Sequence, residues 1–248
     1  MQRKVFRVSG TDRHKFLQGL LTNDVRKTDS GLVYAALLTP QGKYICDFFL
    51  SNDGESILLD LPQSDADAVV ARLNMYRLRA DVQIEATDLI VSTGRSDDTH
   101  LAPKGVLDDP RHEAMGWRLY SDTDQSIPVD WDDIRVTHCI PQHGIELTSD
   151  TFILEAGFDR LNGVDFKKGC YVGQEVTARM KHKTELRKGY MRVAITEHVD
   201  IGTPIVTNAG KETGTVFTQS NGFAIAYARF DRLEGTLTAG PAQITVPE

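Results

Sequence analysis

Leu32–Pro62 reads LVYAALLTPQGKYICDFFLSNDGESILLDLP. Three runs rich in apolar and aromatic residues are separated by PQG and NDG, both turn-forming triplets. The stretch predicts three consecutive strands joined by tight turns. On its N-terminal side a helix is predicted from an N-cap at Ser9 or Thr11 to about Val25, because Phe16, Leu17, Leu20 and Leu21 share one face. On its C-terminal side Ser64 opens a second helix. Asp65 and Asp67 lie in its first turn and Arg77 and Arg79 near its end, which suits the helix dipole. Val69, Leu73 and Tyr76 form its expected apolar stripe. DVQIEATDLIVSTG, residues 81–94, then returns to strand. Helix, strands, helix and strand make an α+β layered unit.

Further along, Ser92–Glu113 is rich in Gly, Pro and Asp and reads as a long loop or boundary. GWRLY beyond it is a short strand, and VDWDDIRVTHCI a helix. After Lys188 the pattern alternates. Met191, Val193 and Ile195 fall on one side of YMRVAITE, and GFAIAYARF sets Phe223, Ile225 and Tyr227 against Ala224, Ala226 and Ala228. With Gly214, Gly222, Gly235 and Gly240 as punctuation, this predicts a small barrel-like unit of five or six strands. Three domains are expected: an α+β unit over 1–91, a second α+β unit over 92–188, and a β-barrel over 189–248.

The chain has 248 residues, 40% hydrophobic and 25% charged, with a formal net charge of −7. That balance argues against a general nucleic-acid or anionic-membrane partner, and no stretch approaches the roughly 20 apolar residues of a membrane span. The start, MQRKVFRVSGTDRHKF, lacks the apolar core of a signal peptide. Three cysteines far apart, Cys46, Cys139 and Cys170, suit a reducing compartment better than a disulfide framework. A cytoplasmic protein is expected.

One segment concentrates chemistry: KKGCYVGQEVTAR, Lys167–Arg179. Gly169 and Gly173 bracket Cys170 and allow sharp turns and close approach. A helix from about Gly173 would place the cysteine just before a helix N-terminus, which favours negative charge. Lys167, Lys168 and Arg179 add positive potential. These features favour a thiolate, the form that attacks and ligates metal; the plainer reading is a buried spacer. Cys46 and Cys139 lie in apolar runs and read as core. Glu175 has two roles open to it, a ligand acceptor or an i, i+4 partner of Arg179. Gln174 is either an amide clamp or an exposed side chain. From Lys167 to Arg192 the local charge balance is +6, leaving −13 for the rest; an acidic partner or a solvated basic face both fit. No ligand spacing for zinc or for a self-contained iron–sulfur cluster is present, nor a phosphate loop or a GxSxG elbow.

KGCYVGQEVTAR resembles the signature of the YgfZ-type folate-binding proteins, relatives of the glycine-cleavage aminomethyltransferase. VSGTDRHKFLQGLLTNDV, ALLTPQGKYICDFF, LNMYRLRADVQI, GTPIVTN and GFAIAYARF resemble other segments of that family. TARMKHKTELRKGY is closest to its mitochondrial and α-proteobacterial branch, which serves assembly of [4Fe–4S] proteins. The resemblance implies an aminomethyltransferase-like ring of ferredoxin-like α+β halves with a C-terminal β-barrel, tetrahydrofolate in a central pocket, and iron–sulfur assembly scaffolds or client proteins as partners. Cys170 carries over as the functional thiol, with Lys168, Gly169, Gly173, Gln174, Glu175 and Arg179 as its framework, of which Lys168, Gln174, Glu175 and Arg179 are implied to bind the cofactor. Tyr44, Asp47 and Phe49 are the candidate folate contacts. Cys170 would react transiently or give one ligand to a cluster completed by partner thiols. The transferase's paired Asp-Asp reads Cys46-Asp47 here, and the chain is shorter than the transferase. The alternative is a folate-dependent aminomethyl or one-carbon transferase with Asp47 as its catalytic acid or base. An assembly factor is the primary expectation.

Overall fold

The structure is a computed structural model that describes residues 2–95, 102–183 and 185–247. Two compact units are formed, one from residues up to 129 together with 158–178, the other from 130–157 and 179 onward.

In the first unit a five-stranded antiparallel sheet has the order β2-β3-β4-β1-β5, from β1 (Arg3–Ser9), β2 (Val33–Leu38), β3 (Tyr44–Asn52), β4 (Ile57–Pro62) and β5 (Gln83–Ala86). The three strands expected from residues 32–62 are β2, β3 and β4. Helices α1 (Arg13–Gln18) and α2 (Ala66–Arg77) contribute Phe16, Leu17, Val69 and Leu73 to a core with Val33, Ala35, Leu37, Cys46, Phe48, Leu50, Leu59 and Leu61. These strand residues alternate with Tyr34, Ala36, Asp47, Phe49 and Asp60, which side-chain periodicity puts on the opposite face. That face is buried as well, which is why β2 and β4 read as almost unbroken apolar runs. β6 (Ile90–Gly94), β8 (Trp117–Ser121) and β7 (Leu107–Asp108) make a separate three-stranded sheet. The expected loop at Ser92–Glu113 therefore contains the end of β6 and all of β7, and its residues 96–101 lie outside the described residues.

The helix expected from Ser9 or Thr11 to Val25 is shorter than its pattern. Residues 3–9 pair as strand β1 with β4 and β5. Gly10 then turns at φ +98, where an added Cβ would lie 2.2 Å from the Asp81 carbonyl oxygen. After Gly19, Leu21 bridges to Leu37 and the Thr22 amide donates to the Ala36 carbonyl at 3.1 Å. Sheet pairing thus takes over residues whose spacing is helical. Tyr76, assigned to the buried stripe of α2, is exposed.

The second unit is a closed six-stranded barrel ordered β10-β11-β12-β9-β14-β13, from β9 (Lys188–Ile195), β10 (Pro204–Thr207), β11 (Glu212–Ser220), β12 (Phe223–Arg229), β13 (Leu237–Ala239) and β14 (Ala242–Thr245). Ala224 and Ala226 pack inside it with Val193, Ile205, Val216 and Ile244, so the small face of β12 turns inward. Helix α3 (Trp131–His138) is tied on by Arg135, which donates to Glu146 at 3.0 Å and to Thr218 at 2.8 Å.

Candidate functional site

The Cys170 segment is a loop held from behind. Asp165 accepts from the Lys167 and Lys168 amides at 2.7 and 3.2 Å and pairs with Lys27 at 2.8 Å. The Lys168 ammonium turns inward, donating to the Gln18 carbonyl at 2.7 Å and to the Leu21 carbonyl, and lies 4.9 Å from the centre of the Tyr171 ring. Burial draws its pKa down to about 8. Lys168 therefore staples the loop to the end of α1. The positive charge expected beside the thiol is committed to backbone carbonyls.

Gly173 fixes the next turn at φ +84, where an added Cβ would lie 2.6 Å from the Thr39 carbonyl oxygen and has no room. Gly42 of the PQG turn, at φ +77, faces Val176 at 2.8 Å by the same measure. The two glycines let the PQG turn and the motif interlock, a contact that would not form with any side chain at either position. Gln174 accepts from the Tyr171 amide at 3.2 Å as α4 (Gln174–Lys183) begins, which joins the loop to the helix start. The helix opens four residues after Cys170.

What this frame presents outward is Lys167, Gly169, Cys170 and Glu175, all exposed; Arg179, with which the second unit resumes, is exposed as well. Cys170 makes no hydrogen bond or ion pair among the described residues, and Glu175 and Arg179 do not pair with each other. The other two cysteines differ. Cys46 is fully buried in the sheet core, and burial pushes its thiol far up. Cys139 is partly buried, closing α3 at φ +49.

Asp47, Tyr44 and Phe49 lie together on the other face of the sheet and are all buried. The Tyr44 hydroxyl donates to Asp47, whose amide donates back to that oxygen at 3.0 Å. Burial first, then the Asp47 charge, holds both Tyr34 and Tyr44 well above the ordinary phenol range. Tyr34 stacks on Phe158 at 5.1 Å and tilts against Phe49 at 5.2 Å. Three guanidiniums surround the Phe49 ring: Arg118 at 3.8 Å, Arg111 at 4.9 Å and Arg3 at 5.6 Å from its centre. Asp60, with 0% exposure, accepts from Arg3 at 2.5 Å, Arg118 at 3.1 Å and Tyr120 at 3.2 Å. Asp109 binds Arg111 through two oxygens at 2.9 and 2.7 Å and Arg118 at 3.3 Å. Burial opposes the Asp109 charge, but the two arginines outweigh it and lower its pKa.

A pterin needs a flat slot with an open aromatic face and unclaimed polar groups. Here the Phe49 ring is ringed by guanidiniums, Tyr34 is stacked, and the Asp47 carboxylate is taken up by Tyr44. As they are arranged, these three side chains leave no aromatic face open and offer no such slot. Sequence reasoning found Asp47, Tyr44 and Phe49 but missed Arg3, Tyr34, Asp60, Asp109, Arg111, Arg118 and Phe158. One signal was available: Asp60 interrupts the apolar run ILLDLP, and a carboxylate inside a buried strand requires a cationic partner.

Residues 187–248 match the family model for the CAF17 C-terminal β-barrel domain, the stretch that forms the barrel. Over 75% of its length the chain is 32% identical to an iron–sulfur cluster assembly factor IBA57 homolog, mitochondrial, of Mycosarcoma maydis, covering 54% of that protein. It is 27% identical to the iron–sulfur cluster assembly factor IBA57, mitochondrial, of Mus musculus, over 95% of the chain and 78% of the relative. The aminomethyltransferase T of the Bartonella henselae glycine cleavage system superposes with a TM-score of 0.79 at 15% identity, covering 99% of this chain and 83% of that one. The chain is a relative of the YgfZ/IBA57-type proteins. Its fold is aminomethyltransferase-like, with mixed helix and sheet and a closed C-terminal barrel. The chain spans about half the length of several of the IBA57-type relatives it matches, 54%, 56% and 53% of three fungal ones. The cytoplasmic expectation is overturned: these YgfZ/IBA57-type relatives are named as mitochondrial proteins. A sparse cysteine count reports a reducing environment, which does not specify the cytoplasm. No helix among the described residues is long and apolar enough to cross a membrane.

Proposed function

We propose that this chain acts in the assembly of iron–sulfur proteins, and that Cys170 is the thiol through which it does so. The observation that carries the proposal is the contrast among the three cysteines: Cys170 alone is exposed, on a loop whose conformation is held by Lys168, Gly173 and Gln174. The names of the relatives supply the process. Among the described residues no group of three or more His, Cys, Asp or Glu side chains could hold a metal, whereas a stable cluster takes about four ligands. Cys170 would lose its proton and give one sulfur ligand to a cluster that is cargo, with the remaining ligands drawn from the thiols of an assembly scaffold or client. Exposed Lys167 and Arg179, in the same stretch, suit an acidic partner surface.

The test is rescue. In cells lacking the protein, a Cys170→Ala variant is expected to leave the activity of a [4Fe–4S] enzyme near the deletion level, while Asp47→Asn restores at least half of it. Full rescue by Cys170→Ala would remove the thiol from the role. Failure of Asp47→Asn, with the variant folded and abundant, would favour the transferase reading in which that carboxylate does the chemistry.

A further inference from the structure

The end of α2 carries an exposed surface of a different kind. Of the seven large hydrophobic side chains exposed among the described residues, three fall within four consecutive positions: Met75 at 68% exposure, Tyr76 at 37% and Leu78 at 89%. Leu78 closes the helix at φ +45, ψ −106, a backbone conformation that glycine adopts freely and a leucine rarely does. Its side chain is almost wholly in solvent, so no packing of its own holds it there. Arg72 and Met75 are neighbours three positions apart on the helix, Leu78 follows at its C-cap, and Arg77 and Arg79 flank Leu78 in the chain. Arg77 donates to the Val82 carbonyl at 3.2 Å. Among the described residues none of these three arginines has a carboxylate partner, unlike Arg3, Arg111, Arg118 and Arg135.

The helix dipole favours cations at this end. That accounts for the arginines but not for the apolar side chains among them. Arg, Tyr and Met are the residue types enriched where one protein docks on another. In a chain of net charge −7, three uncompensated guanidiniums around an apolar centre specify a complement with acidic groups around an apolar ridge. A second copy meeting this surface with its own would set guanidiniums against guanidiniums, because a two-fold contact pairs a patch with itself.

We propose that residues 72–79 are a docking surface for an acidic amphipathic segment of a partner protein. Apolar residues of the partner sit on Met75, Tyr76 and Leu78, and its carboxylates pair with Arg72, Arg77 and Arg79. The surface is independent of the Cys170 loop and of the function proposed for it.

The experiment uses the full chain and two fluorescently labelled synthetic helical peptides, one patterned with Glu and Leu and its counterpart with Lys and Leu, followed by anisotropy. The Glu/Leu peptide is expected to bind, more weakly as salt rises. Met75→Ser/Leu78→Ser and Arg72→Glu/Arg79→Glu should each weaken it at least about tenfold, and the Lys/Leu peptide should not bind. Far-ultraviolet circular dichroism checks that each variant is folded; if a double variant is not, Arg79→Glu alone carries the test. Absent Glu/Leu binding, or binding equal in wild type and both variants, overturns the proposal. So does a concentration-dependent dimer, seen by light scattering, that the same variants abolish. Variant-sensitive retention on phosphatidylserine vesicles without peptide binding overturns it in favour of a membrane.

Discussion

The loop around Cys170 and the layer around Asp47 belong to the same compact unit, and both are rich in charged and aromatic residues. In the layer, Asp60 and Asp109 have been brought out of water and matched with cations: Asp60 with Arg3 and Arg118, Asp109 with Arg111 and Arg118. In the loop, the matched groups lie behind and the unmatched ones in front. Lys168 is spent on carbonyls, whereas Cys170 and Glu175 face solvent with no partner among the described residues. A charge paired inside a protein holds structure, and a group left unpaired at the surface is available to another molecule. On the proposed function, the loop is where the chemistry happens and the layer is its support.

Disturbing the layer costs the most stability. Asp60→Ala removes the buried carboxylate shared by Arg3 and Arg118, leaving Arg118 with Asp109 alone, and is expected to cost about 3–5 kcal/mol, read from the shift of the urea midpoint; a loss under about 1 kcal/mol would mean the layer is not structural. Next comes Gly173→Ala, which forces a side chain into a positive-φ site against the Thr39 carbonyl. About 1–3 kcal/mol of strain is expected, with Cys170 more accessible to alkylation as the loop detaches.

A smaller effect separates Lys168 from a reactive-site lysine. Its folded pKa is depressed to about 8 from a reference of 10.5, so between those values the unfolded chain binds more protons and stability rises with pH. Urea midpoints from pH 8 to 9.5 should climb for the wild type relative to Lys168→Met, and parallel curves would contradict the buried staple. Smallest of all is the front of the loop. Glu175→Gln and Arg179→Ala are expected to change stability by no more than about 0.5 kcal/mol, as exposed positions without partners do, and a larger change would mean that they hold the fold.

The strands at β2, β3 and β4, the barrel and the Cys170 loop were legible because their signals are local: alternation, turn triplets and a contiguous motif. Strand β1 was not, because RKVFRVS has no clean alternation and owes its state to pairing with residues about fifty and eighty positions away. The arginine layer was hidden for the same reason. Phe49, Arg111 and Arg118 meet only once the sheet is folded, and from sequence alone Phe49 reads as an open aromatic contact. The resemblance makes Cys170 the thiol and the rest of the motif its framework, and the structure divides that framework: Lys168, Gly173 and Gln174 hold the loop, whereas Glu175 and Arg179 are exposed.

The most direct measurement is the rate at which iodoacetamide alkylates each cysteine of the native protein, followed by peptide mapping. Cys170 is expected to react first, at least about a hundredfold faster than Cys46, and Cys46 only on unfolding. Alkylation of Cys170 no faster than of Cys46 would contradict it.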